Sequence, residues 1–87
     1  MAGNRTRDGL RLTQLAKTLE RLSGVTVREG TKHRLIARME GYARSCPIES
    51  STDARRMVVS WVKETTGYQN ARGIYQALRT GDWTFAA

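Results

Sequence analysis

The stretch from Val25 to Met39 constrains this chain most. It reads Val-Thr-Val-Arg, then Glu-Gly-Thr, then an alternating run that opens on His33: a β-branched strand, a turn and a second strand. In the second strand His33, Leu35, Ala37 and Met39 share one face, and Arg34, Ile36 and Arg38 share the other. A lone hairpin is at best marginally stable in water, so the apolar face must be covered. The flanking sequence supplies the cover.

Upstream, Leu12, Leu15, Ala16, Leu19 and Leu22 recur at helical spacing, with Arg11, Lys17 and Arg21 largely off that stripe. Ser23-Gly24 is a helix stop. Downstream, Glu40-Gly41 turns the chain into a third strand over 42–48. Its pattern is weaker, and Pro47, lacking an N–H, belongs near the end or on an edge. Ser50-Ser51-Thr52-Asp53 offers N-caps for a second helix with Ala54, Met57, Val58, Trp61 and Val62 as its stripe. Thr65-Thr66-Gly67 stops it. A last helix from about Ala71, capped by Asn70, aligns Ala71, Ile74, Tyr75 and Leu78 and ends at Gly81.

The expected class is therefore α+β: helix, three-stranded antiparallel sheet, helix, then a short extra C-terminal helix. Residues 1–10 lack periodicity and read as a flexible basic tail, 11–80 as a single α-β-β-β-α-α domain, and 81–87 as a C-terminal tail. Met57 and Trp61 are expected in the core. Tyr75, Trp83 and Phe85 either close the open side of that small core or stack on unpaired bases.

Charge limits the partners. Fifteen Lys and Arg stand against eight Asp and Glu, a net +7. All but Arg5 and Arg7 fall between Arg11 and Arg79, so folded surfaces carry the excess. A polyanion, nucleic acid foremost, suits such a surface; simple solubility, an acidic protein or an anionic membrane are the other readings. The single Cys46 excludes an internal disulfide and reads as buried packing. No Cys/His spacing suggests zinc, so neither a metal nor another cofactor is expected. No apolar run approaches membrane-spanning length, and none follows the basic N-terminus, which points to a cytoplasmic protein without a membrane partner.

His33 is the only histidine, and imidazole is the one side-chain type that ordinarily changes charge near neutral pH. Cations surround it in sequence: Arg28, Lys32, Arg34 and Arg38. A proton-transfer group among cations suits a phosphodiester. RNA carries its own nucleophile, the 2′-hydroxyl, and its cleavage needs a base there, an acid at the leaving 5′-oxygen, and cations for the developing charge. His33 fits either proton-transfer role; a Lys, Tyr42, Glu29 or water must fill the other. The competing reading is a histidine at the border of the core, bonded to a backbone carbonyl. The hairpin cations contact phosphates, or they guard a sheet edge against aggregation. Arg55 and Arg56 fall in the first turn of the second helix, where the helix dipole disfavours cations. That suggests an external anion, RNA or an acidic protein surface, or else a plain solvated face.

This order of elements and residues resembles the HicA family of bacterial toxins (YcfA-like proteins). The family begins with a Leu-rich helix, a Gly, a strand ending in Arg, then Gly-Ser-(x)-His opening the second strand. Leu15-Ala16-Lys17-Thr18-Leu19, Gly24, Val25-Thr26-Val27-Arg28 and Gly30-Thr31-Lys32-His33 fill those places, and Cys46-Pro47-Ile48 matches the aliphatic-Pro end of the third strand. The resemblance covers about residues 12–66. After the Pro the family often has basic or histidine residues, whereas this chain has Ile48-Glu49; residues 68–87 extend past the minimal pattern. The resemblance implies a double-stranded-RNA-binding-domain-like fold, an endoribonuclease toxin that binds and cleaves mRNA without a metal, His33 as catalytic histidine, and neutralisation by a HicB-type antitoxin. Two other classes are a non-catalytic small basic RNA- or DNA-binding protein and a phage-type inhibitor of a nucleic-acid enzyme.

Overall fold

In a computed structural model, which describes residues 4–83, an α-helix, a three-stranded antiparallel sheet and two further helices follow one another. The helix α1 spans Leu12–Glu20, the strands β1, β2 and β3 span Val25–Glu29, Leu35–Met39 and Cys46–Ile48, and the helices α2 and α3 span Val59–Thr66 and Ala71–Thr80. The strand order is β1-β2-β3. Val25 pairs with Met39 and Glu29 with Leu35; Leu35 then pairs with Ile48 and Ala37 with Cys46. This register puts Val25, Ala37, Cys46 and Ile48 on the buried face, against Leu12, Leu15 and Leu19 of α1 and Trp61, Val62, Ile74 and Leu78. Thr26, Arg28, Ile36, Arg38 and Pro47 alternate onto the outer face.

Both sheet edges have their backbone groups occupied at specific points. The Glu20 carboxylate accepts the Val27 N–H at 3.0 Å, and the Thr52 hydroxyl donates to the Pro47 carbonyl at 3.3 Å. Strand β3 is shorter than the expected 42–48. The chain before it is drawn toward α2 instead: Tyr42 and Arg44 both bond the Glu64 carboxylate, and the buried Trp61 donates its indole N–H to the Arg44 carbonyl at 2.8 Å. Replacing Trp61 by phenylalanine keeps most of the apolar volume but strands that carbonyl. The expected loss is about 1–2 kcal/mol, read as a lower urea midpoint at unchanged slope.

The second helix starts with a widened π-helical turn over Ala54–Val58, in which the Val59 N–H reaches back to the Ala54 carbonyl. The wider turn shifts the apolar stripe. Ala54, Val58, Val59, Trp61 and Val62 point inward, and Met57, expected in the core, is 46% exposed.

The segment expected as a basic tail also differs: residues 4–10 lie against the domain. Arg5 bridges to Arg11, the Leu12 N–H bonds the Asn4 carbonyl, Thr6 is buried, and the Arg7 N–H bonds the Thr52 carbonyl. The cause is Asp8. None of the expected caps closes the start of the second helix: Asp53 sits at the boundary with no side-chain bond to the helix. Asp8 accepts the Ala54 and Arg55 N–H groups at 2.9 and 3.0 Å, together with the hydroxyls of Thr6 and Tyr75. At the other end, Trp83 donates its indole N–H to the Thr18 carbonyl, and Arg21 bonds the Gly81 carbonyl. The expected C-terminal tail thus begins docked on α1, and Trp83 packs at the margin of the core. Phe85 and the rest of that tail beyond Trp83, like residues 1–3, lie outside the described residues. The expected Asn70 cap is present, accepting the Gly73 N–H at 2.9 Å.

Candidate functional site: a histidine–glutamate pair at a cationic sheet end

His33 lies in the link between β1 and β2, not in β2 itself, because the chain bends through residues 31–34 before pairing begins at Leu35. Gly30 sets this path. A side chain there would meet Ile36 Cδ1 at 2.7 Å and the His33 carbonyl at 2.9 Å, so only glycine lets the link fold so tightly over β2. The bend removes His33 from the apolar face that strict alternation assigns to it. Its side chain is 40% exposed, and Nδ1 lies 2.6 Å from Oε2 of Glu49, one residue past the end of β3. The histidine bonded to a backbone carbonyl is thereby replaced by one bonded to a carboxylate.

Glu49 is fixed from behind. Its N–H bonds the Thr52 hydroxyl, and its carbonyl accepts the Thr52 N–H. A carboxylate offers only acceptors, so Nδ1 carries the hydrogen of the short contact. Nε2 is then the nitrogen left to exchange a proton with a ligand, the division of labour by which a carboxylate orients a catalytic imidazole.

Sequence reasoning missed Glu49. Nothing in its own neighbourhood marks it, and its link to His33 comes from the β2–β3 register, which continues to set position 49 across from position 34. Reasoning also missed Arg5 and Arg11. With Arg34, Asn4, Leu12 and Thr13 they line a cleft of about 450 Å³ at this end of the sheet.

The remaining expected cations separate. Lys32 is exposed in the link beside His33; Arg28 and Arg38 are exposed on the outer sheet face. Arg56 lines a cleft of about 500 Å³ with Arg7, Arg44, Pro47, Met57 and Trp61. Arg55 lies over the Tyr75 ring, 4.9 Å from its centroid. An anion within the chain also lies at this helix start: Asp8, on the backbone N–H groups of Ala54 and Arg55. Of the other proton-transfer candidates, Glu29 pairs with Leu35 at the His33 end of the hairpin, whereas Tyr42 sits at the far end on Glu64, whose hydrogen bond raises the phenol above its ordinary pKa. Burial pushes the Cys46 thiol up to about 11, which leaves it protonated and a poor nucleophile. Among the described residues no group of three or more His, Cys, Asp or Glu gathers as metal ligands, and no helix is long and apolar enough to cross a membrane.

Fold and site together define a small α+β protein with an oriented imidazole at a basic sheet end. No protein-family model matches the chain, and neither a curated protein nor a solved structure matches it significantly.

Proposed function

We propose that this chain is an mRNA-cleaving endoribonuclease toxin of the HicA type, acting in the cytoplasm and restrained by a HicB-type antitoxin. The observation that carries the reading is the His33–Glu49 contact at 2.6 Å, on a half-exposed ring flanked by Lys32 and Arg34. His33 Nε2 takes the proton of a ribose 2′-hydroxyl. The 2′-oxygen bonds to phosphorus and the bond to the 5′-oxygen breaks, leaving a 2′,3′-cyclic phosphate and a 5′-hydroxyl that takes its proton from water. Lys32 offsets the charge that builds on the phosphoryl oxygens. For the antitoxin, the cleft holding Arg7, Arg44 and Arg56 has an apolar floor, and Met57 is the one large hydrophobic side chain exposed among the described residues. That mixture suits a protein partner of acidic and apolar character.

The test is expression under tight control. Wild type is expected to arrest growth and leave messages with 2′,3′-cyclic phosphate ends; His33→Gln is expected to do neither. Arrest that persists in the variant would overturn the reading.

A second reading, a basic protein that holds RNA without cutting it, is favoured by one observation: arginine groups occur on several faces besides the one with His33. Its signature is RNA retardation that survives His33→Gln, with no cleavage by wild type.

A further inference from the structure

We propose that α3 and the widened turn before α2 form a second nucleic-acid site, which grips the phosphodiester backbone of an RNA strand apart from the His33–Glu49 pair. The inference rests on the reading of RNA as the ligand; it adds where that ligand is held and why the chain extends beyond Gly67.

A groove of about 570 Å³ runs here between Arg55, Ala71, Arg72, Tyr75, Gln76 and Arg79. It contains three guanidinium groups and no acidic side chain. Arg72 and Arg79 are seven residues apart on one helix, two turns or about 10 Å, and Gln76 lies between them on the same face. Arg55 faces them from the neighbouring element. None of the three guanidinium groups forms an ion pair with a carboxylate among the described residues. Screening at physiological salt has a length of about 8 Å, so three cations around one groove repel one another appreciably unless a polyanion joins them.

The acid bonded to Tyr75 of this groove is already occupied. Asp8 Oδ1 accepts from Thr6 and Ala54, and Oδ2 from the Arg55 N–H and Tyr75. A carboxylate has about four acceptor sites, and these four bonds fill them. Asp8 thus anchors Tyr75 and forms no ion pair with a guanidinium group, and its single negative charge offsets at most one of the three positive ones. Tyr75 in turn supports Arg55 through its ring, which presents the N–H edges of Arg55 without spending them on a protein acceptor. Planar donors held in place suit phosphate oxygens.

A protein partner fits this groove poorly. The one large hydrophobic exposed among the described residues, Met57, borders the other cleft, and a protein interface wants an apolar centre. A nucleic-acid backbone wants cations and amides with little apolar surface.

The test is fluorescence anisotropy with a labelled RNA of about 20 nucleotides carrying 2′-O-methyl riboses, which bind but cannot be cut, at salt concentrations between 50 and 200 mM. Arg72 and Arg79 are exposed, with no side-chain hydrogen bond or ion pair among the described residues, so Arg72→Gln/Arg79→Gln is the first variant and addition of Arg55→Gln the second. The triple variant is expected to bind about tenfold more weakly, with a salt slope reduced by about 2, near 0.7 for each phosphate that is no longer neutralised. A control that removes two cations elsewhere, Lys17→Gln/Lys63→Gln, is expected to stay within about twofold of wild type. Unchanged affinity and slope in the triple variant, while wild type binds, overturn the second site and leave the proposed function standing. An equal loss in the control also overturns it, by reducing the effect to bulk charge. A wild type that binds no RNA, or binds only vesicles of anionic lipid, overturns the proposed function and this inference together.

Discussion

His33→Gln is expected to slow RNA cleavage by two to four orders of magnitude, the usual contribution of a positioned general base. Affinity for uncleavable 2′-O-methyl RNA should stay within about twofold, because glutamine keeps a polar group of similar reach and the cations remain. The more discriminating variant is Glu49→Gln. Glu49 touches His33 and not the reacting atoms, so it is a positioning residue. Its amide can turn oxygen or nitrogen toward Nδ1, and the tautomer with the hydrogen on Nε2 then becomes competitive; that form cannot take a proton at Nε2. The expected result is a fall in kcat of about ten- to a hundredfold at nearly constant KM, with partial recovery in Glu49→Asp, which keeps the carboxylate. A Glu49→Gln protein that cleaves at the wild-type rate would remove the pair from the mechanism. Equal losses of RNA affinity and cleavage in both variants would make the pair a structural strut.

How far the sequence foretells this site depends on which contacts are local. Helix α1, the hairpin and α3 follow from patterns a few residues long: the Leu stripe before Gly24, the alternation through Met39, and the Asn70 cap with Gly81 at the far end. Position 33 is local too, and periodicity alone aims it at the core. What turns it outward is the crowding of Gly30 against Ile36, a contact no hydropathy pattern encodes. Glu49 is legible only once the register of β3 is known, since nothing in Ile-Glu-Ser marks it as the partner of a residue sixteen positions earlier.

The N-terminal segment is the clearest case of non-local information. Arg-Thr-Arg-Asp-Gly has the composition of a tail, and a tail it would be without the two helix N–H groups forty-six and forty-seven residues away that need an acceptor. Ser50 to Asp53 offer nearer caps, but Thr52 is engaged with Pro47 and Glu49, and Asp53 makes no cap bond. The widened turn at Ala54–Val58 is likewise hidden: a stripe read at ordinary helical spacing places Met57 inside, and the extra residue enclosed by the Val59–Ala54 bond brings it out.

Asp8→Ala is therefore expected to be the most damaging single change outside the core. It removes the acceptor of two helix N–H groups, of the Tyr75 hydroxyl and of the Thr6 hydroxyl, and it takes a negative charge from a helix start whose first turn carries Arg55 and Arg56. An N-cap alone contributes about 1 kcal/mol and hydrogen bonds to a charged group somewhat more, so a loss of about 3 kcal/mol is expected. For a domain of this size that is a fall in Tm of roughly 10–20 °C. Protonation should mimic part of the change. Partial burial pushes the Asp8 pKa up, but the bonds from Ala54, Thr6, Arg55 and Tyr75 outweigh burial and hold it below the ordinary 3.8. The native state thus binds this proton less readily than the unfolded chain. The Asp8 contribution is complete above about pH 5 and falls away as the pH drops through the unfolded and then the native value. The stability difference between wild type and Asp8→Ala should accordingly be constant from neutral pH to about pH 5 and shrink steadily below pH 4, in urea titrations at each pH. A difference that stays level down to pH 2 would mean that the four bonds to Asp8 do not distinguish its charged form, and that packing of Thr6 and its neighbours, rather than the carboxylate, ties residues 4–10 to the second helix.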